Sequence, residues 1–559
     1  MIQCIYKQTD MRYVFFTSDT PNELVSLEEY LNKIPQYQFL PSFNGVPTPV
    51  CFLNKFKTKD GRLVYWCHSG LWKTVYDWCK SNNISISGID DHFKYTDFNL
   101  SLDAFQEYVS KWELNLDPYD YQVKAAWLIL KYRQSLSELA TRAGKTLVAY
   151  IIFRYMLEHG AKKILMIVPS IHLVKQGVKD FQEYKEFFQT ETVWAKGELC
   201  ESSNITIGTY QSLVQRADKK SKKYDPKFFD KYDIVCVDEA HHSVAKSINI
   251  ILGQDFMKFV KLKFGFTGTL FPQGTIESFA CHALMGPKIQ NVTTMELVNR
   301  GFLAKPIINQ IRVVYPNNES LTNSYIKCAE YLNSSYVEKD GKRILLPKEE
   351  REFTIQHVKK LPYVLEQLKP LYTKEEYKAY LIDLCKAKGS NLLTLEQMII
   401  HRDNLRLRIM ADIISQNTGN CIVFAHHTTY LKHLKEYFKK EFPDKNVYII
   451  TGGENLQKRM QIVDKMLTDN NALLCASYGC CSTGITFKNI DYGIFAQSFK
   501  SEIIVLQSIG RGLLKTATKD TFPLYDIIDV LPTGKILAQG KAKIKTYKER
   551  NFEHYVENR

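Results

Sequence analysis

The sequence predicts an α/β fold in which two parallel-sheet domains follow a small α+β module, and three observations carry that prediction. The chain has 559 residues, too many for one core at roughly 150 residues per domain. Short apolar runs alternate with helical patterns in two separate blocks, Asp117 to about Pro306 and Asn420 to Val530. Alternation of that kind makes parallel sheets with helices on both faces and ligand sites at the strands' carboxyl ends. Ahead of both blocks, the stretch to Leu116 reads as short strands and turns rich in aromatic residues.

Within residues 1–116, Asp60-Gly61-Arg62 is a hairpin signal between the apolar segments Val50 to Phe56 and Leu63 to Trp66. Lys55, Lys57, Lys59 and Arg62 mingle there with Tyr65, Trp66 and Trp72. Such a mixture suits a nucleic-acid-binding module, or equally a small core with a solvated basic rim. Residues 117–306 form the first sheet domain: a helical stretch at Tyr121 to Tyr132, then strands at Lys163 to Val168, Ile205 to Gly208, Ile234 to Val237 and Phe264 to Thr267. Residues 307–400 read as a linker whose Lys/Glu-rich part, about Asn317 to Ser390, has helical periodicity and a capping box of Thr373 with Glu376. Residues 401–530 form the second sheet domain, with strands at Cys421 to Ala425, Val447 to Thr451, Ala472 to Ser477, Tyr492 to Ala496 and Leu524 to Asp529. Residues 531–559 are a basic tail carrying Lys535, Lys541, Lys543, Lys545, Lys548 and Arg550, read as a solvated helix face or a contact to phosphate backbone.

Composition narrows the partners. Lys and Arg exceed Asp and Glu by 14, a balance that favours a polyanion. The 13 cysteines form no C-x-x-C pair and no zinc-spaced array, which argues against a disulfide framework or a metal knuckle. No signal-type apolar core opens the chain and nowhere do eighteen apolar residues run together, so a cytoplasmic location without membrane insertion is expected.

Two runs define the chemistry. The first, Ala140-Thr141-Arg142-Ala143-Gly144-Lys145-Thr146, opens onto the apolar stretch Leu147 to Phe153. Backbone N–H groups of such a loop and the helix start behind it would cradle phosphates, Lys145 would reach the β/γ-phosphates and the Thr146 hydroxyl would hold Mg²⁺. The pattern G-x-x-x-x-G-K-[ST] is incomplete, because Leu139 takes its first position, and Arg142 stands where relatives commonly have an inner glycine. The second run, Asp238-Glu239-Ala240-His241, ends the apolar strand Ile234 to Val237. Asp238 can bind the metal there while Glu239 orients or deprotonates a water. The pair spells hydrolysis of a nucleotide, with ATP and Mg²⁺ as the expected cofactors. A second sheet should then supply a cation to the γ-phosphate, and Arg511 in Gln507-Ser508-Ile509-Gly510-Arg511-Gly512 is the candidate finger.

With these runs in order, the chain resembles the superfamily 2 helicases from Asp117 to about Val530. The resemblance implies RecA-like sheets and a set of roles. Gln122 would bond the adenine edge and Tyr119 stack on its ring. Thr141 to Thr146 would surround the phosphates. Pro169 and Ser170, Gly208 and Thr209, Thr451 and Gly452, and Ser477 would touch a nucleic-acid strand. His241 would link the nucleotide site to Thr267-Gly268-Thr269, Gly484 would belong to the nucleotide-binding motif V, and Gln507 would act beside Arg511. More narrowly, the segment from Ala476 to Ile490, the Lys500-Ser501 step and the aromatic first module are similar to the UvsW-type helicases of large tailed phages. That resemblance implies 3′-to-5′ movement on DNA, remodelling of single-stranded, forked and branched DNA, and dissociation of RNA–DNA hybrids in phage recombination, repair and replication. A restriction-type motor subunit, an RNA helicase and a clamp without turnover are the alternatives. Three departures stand out: Arg142 and Ala143 replace the common Gly-Ser of the phosphate loop, Tyr119 replaces the arginine of many relatives, and Leu514 with Lys515 occupies the second arginine position after Arg511. His242, His426 and His427 read as satisfied polar neighbours, and Cys480 and Cys481 as small buried groups.

Overall fold

A computed structural model describes residues 1–5, 10, 12–32, 40–41, 47–48, 52–88, 97–193, 203–272, 275–315, 336–339, 342–345, 397, 400–401, 403–454, 456–479, 487, 489–499, 501–531 and 534–559. It divides into two compact units, Met1–Leu297 and Val298–Arg559.

In the first unit a seven-stranded sheet runs in the order Thr190–Val193, Ile205–Thr209, Ile164–Val168, Ile234–Val237, Leu262–Thr267, Gln134–Leu139, Lys288–Val292. Every pairing in it is parallel. Helices cover both faces, so its central strands are buried along their whole length, as all-parallel sheets require. The expected strands appear at their expected places. Thr190–Val193, Lys288–Val292 and Gln134–Leu139 are additions; the last leads into the phosphate-type loop, and its Gln-Ser-Leu-Ser-Glu-Leu sequence is polar at four positions, yet all six residues are buried.

The module ahead of this sheet has five strands in the order Asn54–Lys57, Leu63–His68, Tyr13–Ser18, Ile2–Ile5, Ile86–Ser87. Its hairpin closes at Asp60-Gly61-Arg62 as expected, with Gly61 at φ +84°, a region that favours glycine. Lys57, Lys59 and Arg62 are exposed, whereas Tyr65 and Trp72 belong to the core. Tyr65 and Trp72 therefore help to build the module's core, Trp66 is half-buried, and the basic residues face out. The module packs directly on the sheet domain: Trp72 stacks on Tyr132 at 6.3 Å, and the Gln134 amide donates to Ser69 Oγ at 2.7 Å. At the same contact a Cβ on Gly70 would fall 2.1 Å from the carbonyl oxygen of His282, so only glycine fits.

The second unit also has a seven-stranded parallel sheet, in the order Val447–Ile450, Leu473–Ser477, Cys421–Ala425, Tyr492–Phe495, Thr521–Val530, Lys305–Val314, Glu553–Asn558. Both outer boundaries drawn from sequence need correction. Lys305–Val314, placed across the linker border, is an inner strand paired along its full length with Thr521–Val530. The tail beyond 530 is no solvated appendage either. Its helix Lys535–Glu549 buries Lys543 against Asp526, and Glu553–Asn558 completes the sheet. Of the expected helical insertion, residues 336–339 and 342–345 form an antiparallel hairpin, and Thr373 and Glu376 lie outside the described residues. Among the described residues no helix is long and apolar enough to cross a membrane.

One buried charge in the first unit has a measurable cost. Lys263, second in its strand, is 7% exposed, and burial pulls its ammonium down to about 7. His68 beside it is pushed down to about 4, by burial and then by the charges of Lys263 and Arg12. An unfolded lysine holds its proton up to about pH 10.4, so between pH 7 and that value the unfolded chain binds more protons and stability rises with pH. Lys263→Met, of similar volume, is expected to stabilise the first unit at pH 7 by about 1–3 kcal/mol and to flatten this rise. Urea unfolding at pH 7 and pH 9 checks both; an unchanged slope would remove Lys263 as its source.

Candidate functional site

Strand order brings the two sequence runs together. Gln134–Leu139 lies beside Leu262–Thr267, which lies beside Ile234–Val237, and all three point their carboxyl ends the same way. The loop after Leu139 turns through left-handed backbone at Arg142 (φ +69°) and Gly144 (φ +78°) before the helix Lys145–Glu158 begins. A Cβ at Gly144 would also lie 2.1 Å from the Gln122 amide nitrogen. That amide donates to Ala143 O at 3.0 Å, as does the Tyr121 hydroxyl, also at 3.0 Å, while Gln122 Oε1 accepts from Tyr119 N at 2.9 Å. Gln122 thus clamps the loop's backbone. Tyr119, 47% exposed, stacks on Tyr121 with ring centroids 5.8 Å apart.

From the loop, Lys145 Nζ reaches Glu239 Oε1 at 3.1 Å. Glu239 itself stands in left-handed backbone at φ +49°, a strained position that turns its carboxylate back over the strand end. Its Oε2 is buried with no hydrogen-bond partner among the described residues, although His241 Nδ1 lies 3.3 Å away. The same ring nitrogen is 2.9 Å from Thr267 Oγ1, which in turn donates to Thr269 O at 2.8 Å. Burial pushes the Asp238 carboxyl up, reinforced by Glu239 beside it. Burial acts on Glu239 in the same sense, but the Lys145 ammonium and then His241 override it and hold that carboxyl low. His241 is pushed down to about 4, chiefly by burial, and is therefore neutral at pH 7.

Two adjacent half-buried carboxylates facing one ammonium make a donor set that a divalent cation fits, and the buried Glu239 Oε2 is placed to accept from a water. A Cβ on Gly268 would lie 3.2 Å from Thr141 Oγ1 and 3.5 Å from Lys145 Nζ, so the Thr267-Gly268-Thr269 run packs on the loop. Sequence reasoning missed Glu138. Its Oε1 accepts from Leu270 N at 3.4 Å and its Oε2 pairs with Lys288 at 3.1 Å, tying the strand ahead of the loop to the segment after Thr269. A lone acid inside a Ser/Leu strand was the available signal.

Two further runs share the strand ends of this sheet. Ser170, after Pro169, caps the helix Ile171–Tyr184, and Thr209, after Gly208, caps Tyr210–Ala217. The two strands are neighbours in register, Gly208 opposite Ile167, and Gln211 Nε2 donates to Pro169 O at 3.3 Å. In the second unit Thr451 is buried, with its N and Oγ1 on Glu454 at 2.5 and 2.7 Å, and Arg459 donates to Gly452 O at 3.1 Å. Ser477 ends a buried strand, and Gln507 and Arg511 lie on the helix Glu502–Gly512, Gln507 buried and Arg511 half-buried. Gly484, Cys480, Cys481 and Lys500 fall outside the described residues.

Residues 113–272 match the family model described as type III restriction enzyme, res subunit, and residues 405–513 match the helicase conserved C-terminal domain. The chain is 28% identical over 485 residues, 82% of its length and 81% of the relative's, to the ATP-dependent DNA helicase uvsW of Enterobacteria phage T4. Over most of its length the chain is similar to the UvsW-type superfamily 2 helicases. A shorter match, 29% over 203 residues, covers 36% of this helicase and 41% of the DNA 3'-5' translocase XPB2 of Sulfurisphaera tokodaii. The crystal structure of T4 UvsW aligns over 100% of this chain and 99% of its own, at 22% identity and a TM-score of 0.42.

Two substitutions test the site of this helicase. Glu239→Gln is expected to lower ATP turnover by about 10²–10⁴-fold while nucleotide binding persists, read by steady-state hydrolysis against equilibrium binding of a fluorescent ATP analogue. Near-normal turnover would remove Glu239 as the water-orienting group. Gly144→Ala, impossible at φ +78° without displacing Gln122, is expected to abolish nucleotide binding itself.

Proposed function

We propose that the chain is an ATP-driven DNA helicase and translocase that remodels single-stranded, forked and branched DNA and RNA–DNA hybrids in phage recombination, repair and replication. The observation that carries this reading is the Lys145–Glu239 pair, with Asp238 beside it, in a chain that aligns with a DNA helicase over 82% of its length. Thr146 and Asp238 would hold Mg²⁺, which when bound neutralises charge on the β/γ-phosphates. Lys145 would leave Glu239 for the phosphates, and the Glu239 carboxylate, released from that pair, would then orient the attacking water. Arg142, Ala143 and Gly144 would offer backbone N–H groups, with Tyr119 exposed for stacking on the base. Pro169, Ser170, Gly208, Thr209, Thr451, Gly452 and Ser477 would follow the strand's backbone, and Gln507 and Arg511 would complete hydrolysis from the second unit.

The restriction-type motor shares the model matched by residues 113–272, but no separate observation favours it. The half-buried Lys145, Asp238 and Glu239 constellation speaks against a clamp without turnover.

Hydrolysis measured with no nucleic acid, single-stranded DNA, a fork, a Holliday junction and single-stranded RNA tests the reading. Stimulation should need Mg²⁺ and be larger with DNA than with RNA; RNA-only stimulation would replace the DNA assignment. The exposed edge of the first module adds a test that leaves the core intact, since removing residues 1–115 would strip Tyr132 and Phe279 of their cover. Lys57→Glu with Lys59→Glu is expected to make the log–log salt dependence of junction binding shallower by about 0.9 per lost phosphate contact, with ATP binding unchanged. An unchanged slope would take the module's edge out of the DNA interface.

A further inference from the structure

A cavity of about 550 Å³ opens in the second unit outside the carboxyl ends of two neighbouring parallel strands, Cys421–Ala425 and Tyr492–Phe495. From the first strand the chain continues to Val447–Ile450 on one side of the sheet, and from the second to Thr521–Val530 on the other. The strand order reverses at this point, which is where open α/β sheets bind ligands. The volume falls within the roughly 300–1,000 Å³ of small-molecule clefts.

The lining selects the ligand. Phe499 and His426 form an aromatic wall, their rings 5.6 Å apart and inclined by 38°. Gln397, Gln497 and Gln539 bring three amides, and Ser498 brings a hydroxyl. Among the described lining residues none is charged, so neither a phosphate nor an acidic peptide finds a counter-charge. Gln497 is fixed, its Oε1 accepting from His426 N at 2.8 Å and His427 N at 3.2 Å, which leaves the amide nitrogen to donate. Gln397 Oε1 is held by His427 Nε2 at 3.1 Å, with the same consequence. Ser498 is 8% exposed, and its buried hydroxyl has no hydrogen-bond partner among the described residues. An orphaned buried hydroxyl is costly unless a ligand completes it.

An aromatic face, amide donors and a hydroxyl without charge match a flat, neutral heterocycle with donors and acceptors on its rim. We propose that this cavity captures a single nucleobase, turned out of the stack and held against Phe499 with its polar edge toward Ser498 and the amides. The base belongs either to the bound strand or to a free nucleoside; the strand source rests on the nucleic-acid reading above, and the free source does not.

The test uses the full chain with its nucleotide site filled by ADP. A single abasic site is walked along a fluorescent single strand and affinity is read by anisotropy, in wild type and in Phe499→Ala. Capture of a strand base should appear as one position at which loss of the base weakens wild-type binding by about 5- to 150-fold, the effect of one base–aromatic stack. The same abasic site should cost nothing further in Phe499→Ala. In a second arm, cytidine, thymidine, adenosine and guanosine at millimolar concentration are tested for a rise in wild-type Tm that Ser498→Val abolishes. Such a rise with a flat abasic profile assigns the cavity to a free nucleoside. A flat profile together with no nucleoside effect overturns the proposal. Should Phe499→Ala fail to fold, the wild-type profile and the Ser498→Val arm still decide it. Absence of any strand binding would sink the helicase reading, while the nucleoside arm would still decide whether the cavity takes a base.

Discussion

The ion pair between Lys145 and Glu239, 3.1 Å apart and 94 residues apart in sequence, is the constraint on which the candidate site depends. Both side chains are about five-sixths buried, so neither tolerates loss of its partner without leaving a stranded charge. Their meeting requires that only Leu262–Thr267 separate the two strands that present them. It also requires left-handed backbone at Arg142, Gly144 and Glu239, unfavourable at the two that are not glycine. On the proposed reading, the pair would tie the loop to the strand end that carries Glu239 until a nucleotide offered Lys145 another anion. Asp238, raised by burial and by Glu239, is the group that would gain most from a cation. Nucleotide and metal would therefore enter as partners that replace an existing balance of charge.

A second layer of polar contacts carries changes at that pair outward. His241 stands within 3.3 Å of Glu239 and 2.9 Å of Thr267, and Gly268 touches the loop near Thr141. Glu138 grips the following Leu270 from beneath. Displacing Lys145 toward phosphate would thus bear on residues 267 and 268 through His241 and Gly268, while Glu138 holds Leu270 in place. In the second unit, buried ion pairs do a different task. Asp526 and Asp529 lie three residues apart on one strand and so point to opposite faces. Lys543 of the last helix meets the first, and Arg406 of the helix Asn404–Gln416 meets the second at 2.8 Å. Tyr315 also donates to Asp529, at 2.7 Å. Such pairs add little net stability against an apolar filling, but a member left without its partner is a costly buried charge, which ties each helix to its own face.

What could be read from sequence followed from burial on both faces. Ile164–Val168, Ile234–Val237 and Cys421–Ala425 are uninterrupted apolar runs, and uninterrupted runs announce central parallel strands. Gln134–Leu139 is equally central, but its serines and Glu138 interrupt the pattern; only the loop that it feeds betrayed it. Glu553–Asn558 is a largely exposed edge strand carrying acids at Glu553 and Glu557, and nothing in its composition separates it from a tail. Lys543 looked like one more solvated lysine because its partner Asp526 is 17 residues away on another element. The two catalytic-type runs were legible since their spacing is local, whereas the charge pairs that join them depend on strand order. The aromatic residues of the first module were read half correctly: Tyr65 and Trp72 proved to be core, and the basic residues around them to be surface.

The departure after Arg511 shows how far local chemistry can be pushed. Leu514 pairs with Leu303 in a backbone bridge, and Lys515 reaches Asp520 at 3.0 Å across the short turn before Thr521–Val530. That pair is open to solvent, 40% and 79% exposed, so at about 0–1 kcal/mol it holds Lys515 only weakly. A phosphate could take the ammonium from Asp520 at little cost, whereas Arg406 or Lys543, buried against single carboxylates, could not be taken at all. The weakness of the bond is therefore what leaves Lys515 available as a point charge, without the two-pronged geometry an arginine would bring. Charges fixed in the interior hold this fold in register, and charges on loose surface pairs are the ones that an incoming polyanion can recruit.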